Sequence, residues 1–397
     1  MGRDFEAIKL DLSRKILATK TPADFIITLL YSIPVLAPAR ICIETGVFKH
    51  LTETKSPLHV ADLVQKPARG DHEAFEQQQE FLARMLRAVS GLGLIDEIAP
   101  RMYQANELTA VMADEGFASG FELFFDNAMG PSSTMTSMIS FHEGNVWQAS
   151  GTATEGPWQD ARGVQGQTTF EHWTDHDPKQ LTRLSSLMQR MQDKRPHWTQ
   201  WFPKEALIST PSTDDRDRLP AVFVDVGGGR GHDLSALARQ YPKWNAQLVL
   251  QDDPSVIAET KHEHSTTGTE VDPRTTFMPH DFFLEQPVKG ASIYYMHKIM
   301  HDWPDKDCVA ILTRLRDAMQ KGSRIFINDV ILPDQGCSAL ATGSDILMLA
   351  FHSGQERDEA SWTRLISMVK GLRIQKFWRA PGDDGEGIVE VCRSNCS

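Results

Sequence analysis

Residues 221–234, Ala-Val-Phe-Val-Asp-Val-Gly-Gly-Gly-Arg-Gly-His-Asp-Leu, constrain the fold more tightly than any other part of this chain. The apolar run 221–226 is rich in β-branched residues and stops at a cluster of glycines, and 233–240 then reads as a helix, so the segment is strand, glycine loop, helix. A loop of this kind lets a ligand come close to the backbone, because glycine adds no side chain and adopts turns that other residues resist. Gly227, Gly228, Gly229 and Gly231 are clustered, and His232 stands where the dinucleotide fingerprint Gly-x-Gly-x-x-Gly needs its third glycine. The loop therefore departs from the nicotinamide pattern. No Gly-Lys-Ser/Thr follows, which excludes a Walker A loop.

A second strand over 247–252 ends in Asp252, where a doubly wound sheet grips a ribose diol. A third around 275–278 runs into His280, Asp281, Phe282 and Phe283. Asp281 offers a carboxylate to an adenine amino group and Phe282 an aromatic face. Three strand-end signals in this order point to a nucleoside site.

Composition removes several alternatives. The chain has 397 residues, enough for two domains, and a net charge of −12. Nucleic acid is not an expected partner, since such binding draws most of its affinity from basic side chains. Cys42, Cys308, Cys337, Cys392 and Cys396 are scattered and odd in number, so neither a disulfide framework nor a metal site is expected; Cys392 and Cys396 read as a free tail. No segment supplies the roughly 20 apolar residues of a membrane span, and Asp4 and Glu6 replace a signal-peptide start. A cytoplasmic location is expected.

The first hundred residues follow a different grammar. Residues 25–45 form an apolar helical stretch, 59–64 and 81–95 two further helices, and 102–106 a small wing. Residues 66–80 are polar and read as a loop insertion. A winged-helix pattern invites a DNA-binding hypothesis, but no basic cluster sits where phosphates would be met.

The ordered set Asp225-Val-Gly-Gly-Gly, Asp252-Asp-Pro-Ser-Val-Ile, Asp281-Phe-Phe, His301-Asp-Trp-Pro-Asp, Asn328-Asp-Val-Ile-Leu-Pro and Gly354-Gln-Glu-Arg resembles the class I S-adenosylmethionine-dependent O-methyltransferases, in particular the plant and fungal small-molecule enzymes related to caffeate O-methyltransferase. The resemblance implies a Rossmann-like, seven-stranded, doubly wound α/β sheet that binds S-adenosyl-L-methionine through Asp225, Gly227, Gly229, Asp252, Asp281 and Phe282. It implies an N-terminal helical, winged-helix dimerisation domain over 1–118 and a catalytic domain over 119–397, of which 119–202 covers the substrate. A homodimer is the expected oligomer. Phe170, Trp173, Met188 and Met348 match substrate-wall positions of the family, and His352 occupies another; together they suit a flat aromatic or polyketide-like small molecule.

His301 is the expected catalytic base. It follows a fourth strand over 292–296 and so emerges at the carboxyl edge of the sheet. Methyl transfer to a phenol requires removal of a proton held with a pKa near 10, a task suited to imidazole. The resemblance places two carboxylates on it, Asp329 at the end of a fifth strand and Glu356. The family usually carries Glu at the first of these positions and Thr where this chain has Asp358. A second reading follows from those departures and from further imidazoles at His142, His297 and His352: the fungal methyltransferase-like pericyclases keep S-adenosylmethionine bound as a fixed positive charge and catalyse a rearrangement or cycloaddition without methyl transfer. A non-catalytic regulator is disfavoured by the intact Asp225, Gly227, Gly229 and Asp252.

Overall fold

The computed structural model describes residues 3–17, 21–23, 26–27, 35–64, 72–135, 152–192, 196–208, 221–267, 272–382 and 385–394. The chain forms two compact units, Met1–Met129 with Trp173–Lys194, and Gly130–His172 with Arg195–Ser397. The boundary expected at 118/119 falls inside the helix Glu115–Thr134.

In the first unit, strands β1 (Leu58–His59), β2 (Asp96–Ala99) and β3 (Met102–Gln104) form a small antiparallel sheet in the order β1-β3-β2. Helices Leu36–Glu44, Val47–Thr54 and His72–Gly91 close over it around Cys42, Phe48, Leu51, Leu86, Val89 and Tyr103. A helical N-terminal unit is consistent with the expectation. The polar stretch 66–80 is not a loop throughout: residues 72–80 are the first turns of the helix His72–Gly91, while 65–71 lie outside the described residues. Glu, Gln and Ala are strong helix formers, and their polarity marks a solvent-facing helix. Helix Glu115–Thr134 pairs with Lys179–Gln192 through Arg183, which bonds Glu122 at 2.6 Å and Asp126 at 3.1 Å.

The second unit is built on β4 (Ala221–Val226), β5 (Ala246–Asp252), β6 (Thr275–Pro279), β7 (Ile293–His297), β8 (Arg324–Leu332), β9 (Arg357–Asp358), β10 (Leu372–Arg379) and β11 (Glu386–Arg393). The order is β10-β11-β8-β7-β4-β5-β6, with the two-residue β9 attached to β8. The strands β4 to β8 pair in parallel, and β11 inserts antiparallel between β8 and β10. This is the seven-stranded doubly wound sheet implied by the resemblance, with β9 as a short addition.

Both faces of a parallel sheet must be covered, which is why its strands read as nearly unbroken apolar runs. Val224, Tyr294 and Ile327 face helices Asp305–Ala318 and Glu359–Ser367 through Ile311, Leu315, Trp362 and Leu365. Their neighbours Phe223, Tyr295 and Phe326 face Trp198, Phe202, Leu234 and Leu237 on the other side. The two-residue side-chain period of a strand produces this division. Because β4, β5, β6 and β7 run in parallel, the glycine loop, Asp252, His280 and His297 all arrive at one edge of the sheet.

Two strand boundaries differ from expectation. Asp329 does not end its strand: β8 continues to Leu332, with Gly387 and Glu386 of β11 opposite Asp329 and Val330, and Arg357 and Asp358 of β9 opposite Ile331 and Leu332. Cys392 is no free tail but a buried residue of β11, paired on both sides, opposite Arg373 and Arg324. Cys396 lies outside the described residues.

The glycine loop yields a graded prediction. Gly227 and Gly229 both have left-handed backbones, φ 72° and 56°. A Cβ on Gly227 would sit 2.7 Å from Ile299 Cδ1, whereas one on Gly229 meets nothing within 4 Å. Gly229→Ala is expected to cost only the backbone penalty of about 1–2 kcal/mol. Gly227→Ala adds a steric term of about 1–3 kcal/mol. Urea melts showing equal losses would contradict this account.

Candidate active site

The loop after β4 is held against β5 by its own backbone. Gly227 and Gly228 donate to the Gln251 carbonyl at 2.9 and 3.0 Å, and Gly229 donates to Asp252 Oδ2 at 2.7 Å. The second Asp252 oxygen accepts from Asp253 N at 2.8 Å. Burial raises the Asp252 pKa, and these two backbone bonds oppose that rise. On the far side of the loop, Phe282 Cε1 would lie 3.7 Å from a Cβ on Gly227. Asp281 is exposed and accepts from Phe283 N at 2.8 Å, closing the turn after β6. Asp225 lies under the loop, fully buried, with neither carboxylate oxygen hydrogen-bonded among the described residues. Burial lifts its pKa well above the usual range, reinforced by Asp233 and Asp252.

His301 sits on a 3₁₀ turn, Met300–Asp302, directly after the exit of β7. Its Nδ1 donates to Glu356 Oε1 at 3.0 Å, and Ser344 Oγ donates to the same oxygen at 2.7 Å. The backbone N–H of Glu356 is held by Asp345 Oδ1 at 2.9 Å. His301 Nε2 faces Asp302 Oδ1 at 3.6 Å, and His352 Nε2 approaches the same oxygen at 3.8 Å. Burial alone would make the His301 charge unfavourable. The carboxylates of Asp302, Asp329 and Glu356 more than offset it and push His301 up to about 9. Burial raises Asp302 to about 7 against the pull of His301. His352 is driven the other way, down to about 3, by burial and by the neighbouring His301.

The turn is fixed from beneath. Arg357, 1 % exposed, donates to the carbonyls of Met300 at 2.9 Å and Trp303 at 3.1 Å and to Asp305 Oδ1 at 2.8 Å. Gln355 N donates to the His301 carbonyl at 2.9 Å. Gly354 is required there, because a Cβ would collide with that same carbonyl oxygen.

The expected site residues divide accordingly. Gly227, Gly229, Asp252 and Phe282 converge at one edge of the sheet, with Asp225 beneath and Asp281 at the rim. His301 and Glu356 form a bonded pair. Asp329 is fully buried but hydrogen-bonds to nothing among the described residues, and its effect on His301 is through charge alone. Its side chain is one methylene shorter than the Glu the family carries. Phe170 stacks on His352 with ring centroids 4.6 Å apart at 9°. Thr169 supports this by bonding the Phe351 carbonyl. Met348, also buried, precedes His352 by four residues on the helix Ala339–His352 and so shares its face. Trp173, buried, and Met188, half-buried, belong to the first unit. His142 lies outside the described residues. His297 ends β7, and its Nδ1 bonds Asp233 Oδ2 at 2.8 Å. The sequence motifs contain Asp302 and Arg357 but assign neither a role, and they do not include Ser344. Asp302 and Arg357 adjoin His301 and Glu356, a usable hint, whereas Ser344 carries no sequence signal.

A profile of the O-methyltransferase domain matches residues 212–371. O-methyltransferase asqD of Emericella nidulans is 33% identical over 364 residues, covering 91% of this chain and 87% of that protein. The chain belongs to the O-methyltransferase family. Demethylsterigmatocystin 6-O-methyltransferase of Aspergillus flavus is 31% identical, over 85% of this chain and 80% of that one. Among solved structures, LepI in complex with SAM superposes with a TM-score of 0.80 at 25% identity, covering 99% of this chain and 95% of that one.

The residues present fit S-adenosylmethionine, the cofactor of this methyltransferase family. The space above Gly229 is open, and an unpartnered buried carboxylate, Asp225, lies beneath the loop. Among the described residues no group of three potential ligands could hold a metal ion, and no helix is long and apolar enough to cross a membrane.

Two outcomes are expected. Asp252→Ala should weaken S-adenosylhomocysteine binding in calorimetry by about tenfold or more, as loss of a charged hydrogen-bonding group does, and undiminished affinity would reject the ribose assignment. Arg357→Ala should cost the lower part of the about 3–5 kcal/mol associated with breaking a buried pair, because Asp305 keeps some contact with solvent; an unchanged denaturation midpoint would contradict the clamp.

Proposed function

We propose that this methyltransferase moves the methyl group of S-adenosylmethionine to a hydroxyl of an aromatic or polyketide-like small molecule, with His301 as general base. The observation that carries the reading is the bond from His301 Nδ1 to Glu356 at 3.0 Å, which leaves Nε2 as the nitrogen able to accept a proton. The cofactor, when bound, supplies an electrophilic methyl on a sulfonium. Glu356 orients the imidazole and stabilises the charge it gains. Asp302 and the unpaired Asp329 add negative potential around the same ring. With His301 at about 9 and a phenol near 10, the two proton affinities are closely matched, so transfer between them is nearly isoenergetic. Phe170, the neutral His352 and Met348 would form an apolar wall for a flat substrate, with Trp173, Met188 and His142 as further candidates. Asp252 would hold the ribose, and Asp281 and Phe282 the adenine. The demethylsterigmatocystin enzyme among the relatives, a 6-O-methyltransferase by name, is consistent with an oxygen acceptor.

The first unit would serve as the dimerisation domain of a cytoplasmic homodimer. Phe5, Leu10, Ile26, Ile27 and Leu36 support this, being apolar and roughly 40–50 % exposed in the single chain. Light scattering is expected to give twice the chain mass, and a monomer would overturn the proposal.

One observation favours a second reading. An imidazole held protonated up to about pH 9 is a hydrogen-bond donor at neutral pH, and a donor that polarises a carbonyl is what a cofactor-assisted pericyclase would use. The two readings differ in the sign of their pH dependence. As a base, His301 works only when neutral, about one molecule in a hundred at pH 7 for a pKa two units higher, so kcat/KM should rise with pH and level off near 9. Glu356→Gln removes a carboxylate that favours the imidazolium, so the inflection should move to lower pH with a lower plateau. His301→Ala should lower transfer by about 10²–10⁴-fold. A product heavier by one methylene, formed with one equivalent of S-adenosylhomocysteine, supports transfer. An isomer of unchanged mass, made at a rate that falls through pH 9, would replace it with the pericyclase reading.

A further inference from the structure

Asp233 is a buried acid that the proposed chemistry does not use. It stands in the first turn of the helix His232–Gln240, which continues the glycine loop without a break. It is 6 % exposed. Three hydrogen bonds and one close imidazole converge on its two oxygens. Trp198 Nε1 at 2.7 Å and Tyr295 OH at 3.1 Å donate to Oδ1, His297 Nδ1 at 2.8 Å bonds Oδ2, and His197 Nε2 lies 2.9 Å from Oδ1 as an ion-pair partner without hydrogen-bond alignment. The His197 tautomer follows from its other nitrogen, which accepts from Thr199 N at 3.3 Å and leaves the proton on Nε2. A carboxylate has about four lone-pair positions, and the three hydrogen bonds fill both on Oδ1 and one on Oδ2. Burial disfavours its charge, but the two histidines hold its pKa below the usual carboxylate range.

The partners lie on the elements that carry the two halves of the site. His297 is the last residue of β7, and Lys298 follows in a left-handed conformation, φ 56°, its N–H on the Asn328 carbonyl at 3.0 Å. Asn328 also donates through Nδ2 to Tyr295 OH at 2.8 Å, extending the network into β8. Ile299 then packs against Gly227, and the His301 turn begins. On one side of Asp233 is the loop of the cofactor site, and on the other the exit of β7 toward the base.

We propose that Asp233 is a positioning residue that holds the glycine loop and the His301 turn at a fixed separation, through its bond to His297. A buried polar group held by several directed bonds specifies one geometry, whereas an apolar filler would leave the strand exit and the helix free to slide. Asparagine has nearly the same shape but one acceptor oxygen in place of two, so it cannot receive both the Oδ1 donors and His297. The inference rests on the assignment of the glycine loop to the cofactor and is independent of which reaction follows. The Asp252→Ala measurement checks that assignment separately.

The test is Asp233→Asn in the full chain, read by hydrogen exchange and by calorimetric titration with S-adenosylhomocysteine. Exchange should accelerate together in 227–231 and 298–303, two segments far apart in sequence, and S-adenosylhomocysteine should bind about tenfold more weakly, the loss expected for one charged hydrogen bond. With a methyl acceptor in hand, kcat should fall while the acceptor KM holds. His297→Ala cuts the same link from the other end while leaving Trp198, Tyr295 and His197 on Asp233, and it should loosen the same two segments. Faster exchange confined to 232–240, with ligand affinity unchanged, would reduce Asp233 to a structural role and overturn the proposal. If Asp233→Asn does not fold, His297→Ala decides alone: loosening of 298–303 without 227–231 refutes the coupling.

Discussion

One buried guanidinium fixes the geometry of the His301 turn. Arg357 holds the Met300 and Trp303 carbonyls and Asp305, and its plane lies over Trp362 with a centroid distance of 5.2 Å. These contacts join the exit of β7, the start of the helix Asp305–Ala318 and the short β9. A planar fork with five donors at fixed angles can define such a junction, which a lysine could not. The adjacent Glu356 is thereby delivered to His301 from the other side of the same turn. Gly354 completes the arrangement by letting the two backbones approach to hydrogen-bonding distance, Gln355 N to His301 O.

The electrostatics of the site follow from that packing. Three carboxylates, Asp302, Asp329 and Glu356, act on one buried imidazole, and the neutral His352 stacks on Phe170 beside it. Charge and burial oppose each other at every group. At His301 the carboxylates win and the proton is held more tightly. At His352 burial and the neighbouring His301 win, and the ring stays neutral. Two histidines whose rings approach one aspartate oxygen are thus separated by about six pKa units, from about 9 to about 3. One is suited to proton transfer and the other to shaping an apolar wall.

A second buried charged residue, Asp233, ties the helix after the glycine loop to the end of β7, as Arg357 ties the His301 turn to β9. The two networks meet along the short stretch from His297 to His301. Asp233, with three hydrogen bonds, contrasts with Asp225 and Asp329, whose side-chain oxygens have no partner among the described residues.

The sequence by itself determined the fold and the cofactor edge. A strand, a glycine cluster, a helix and three acids at successive strand ends can be satisfied by few architectures, because parallel strands bring their carboxyl ends to one edge and glycine at Gly227 and Gly229 is demanded by a left-handed backbone. His301 and Glu356 were legible as a pair because the surrounding motif is specific. Other features were not. The polarity of residues 72–80 concealed a surface helix, since polarity reports exposure and not secondary structure. The length of β8 depended on β9 and β11, and the burial of Cys392 on β11 pairing with both neighbours, contacts between distant segments that no local pattern encodes. Only the tertiary structure decided that Asp302, not Asp329, stands within 4 Å of His301, that His297 serves Asp233, and that His352 is neutral. Each of these depends on separations of 2.8 to 3.8 Å between side chains brought together by the folded chain, and Coulomb energy and desolvation are set by those distances.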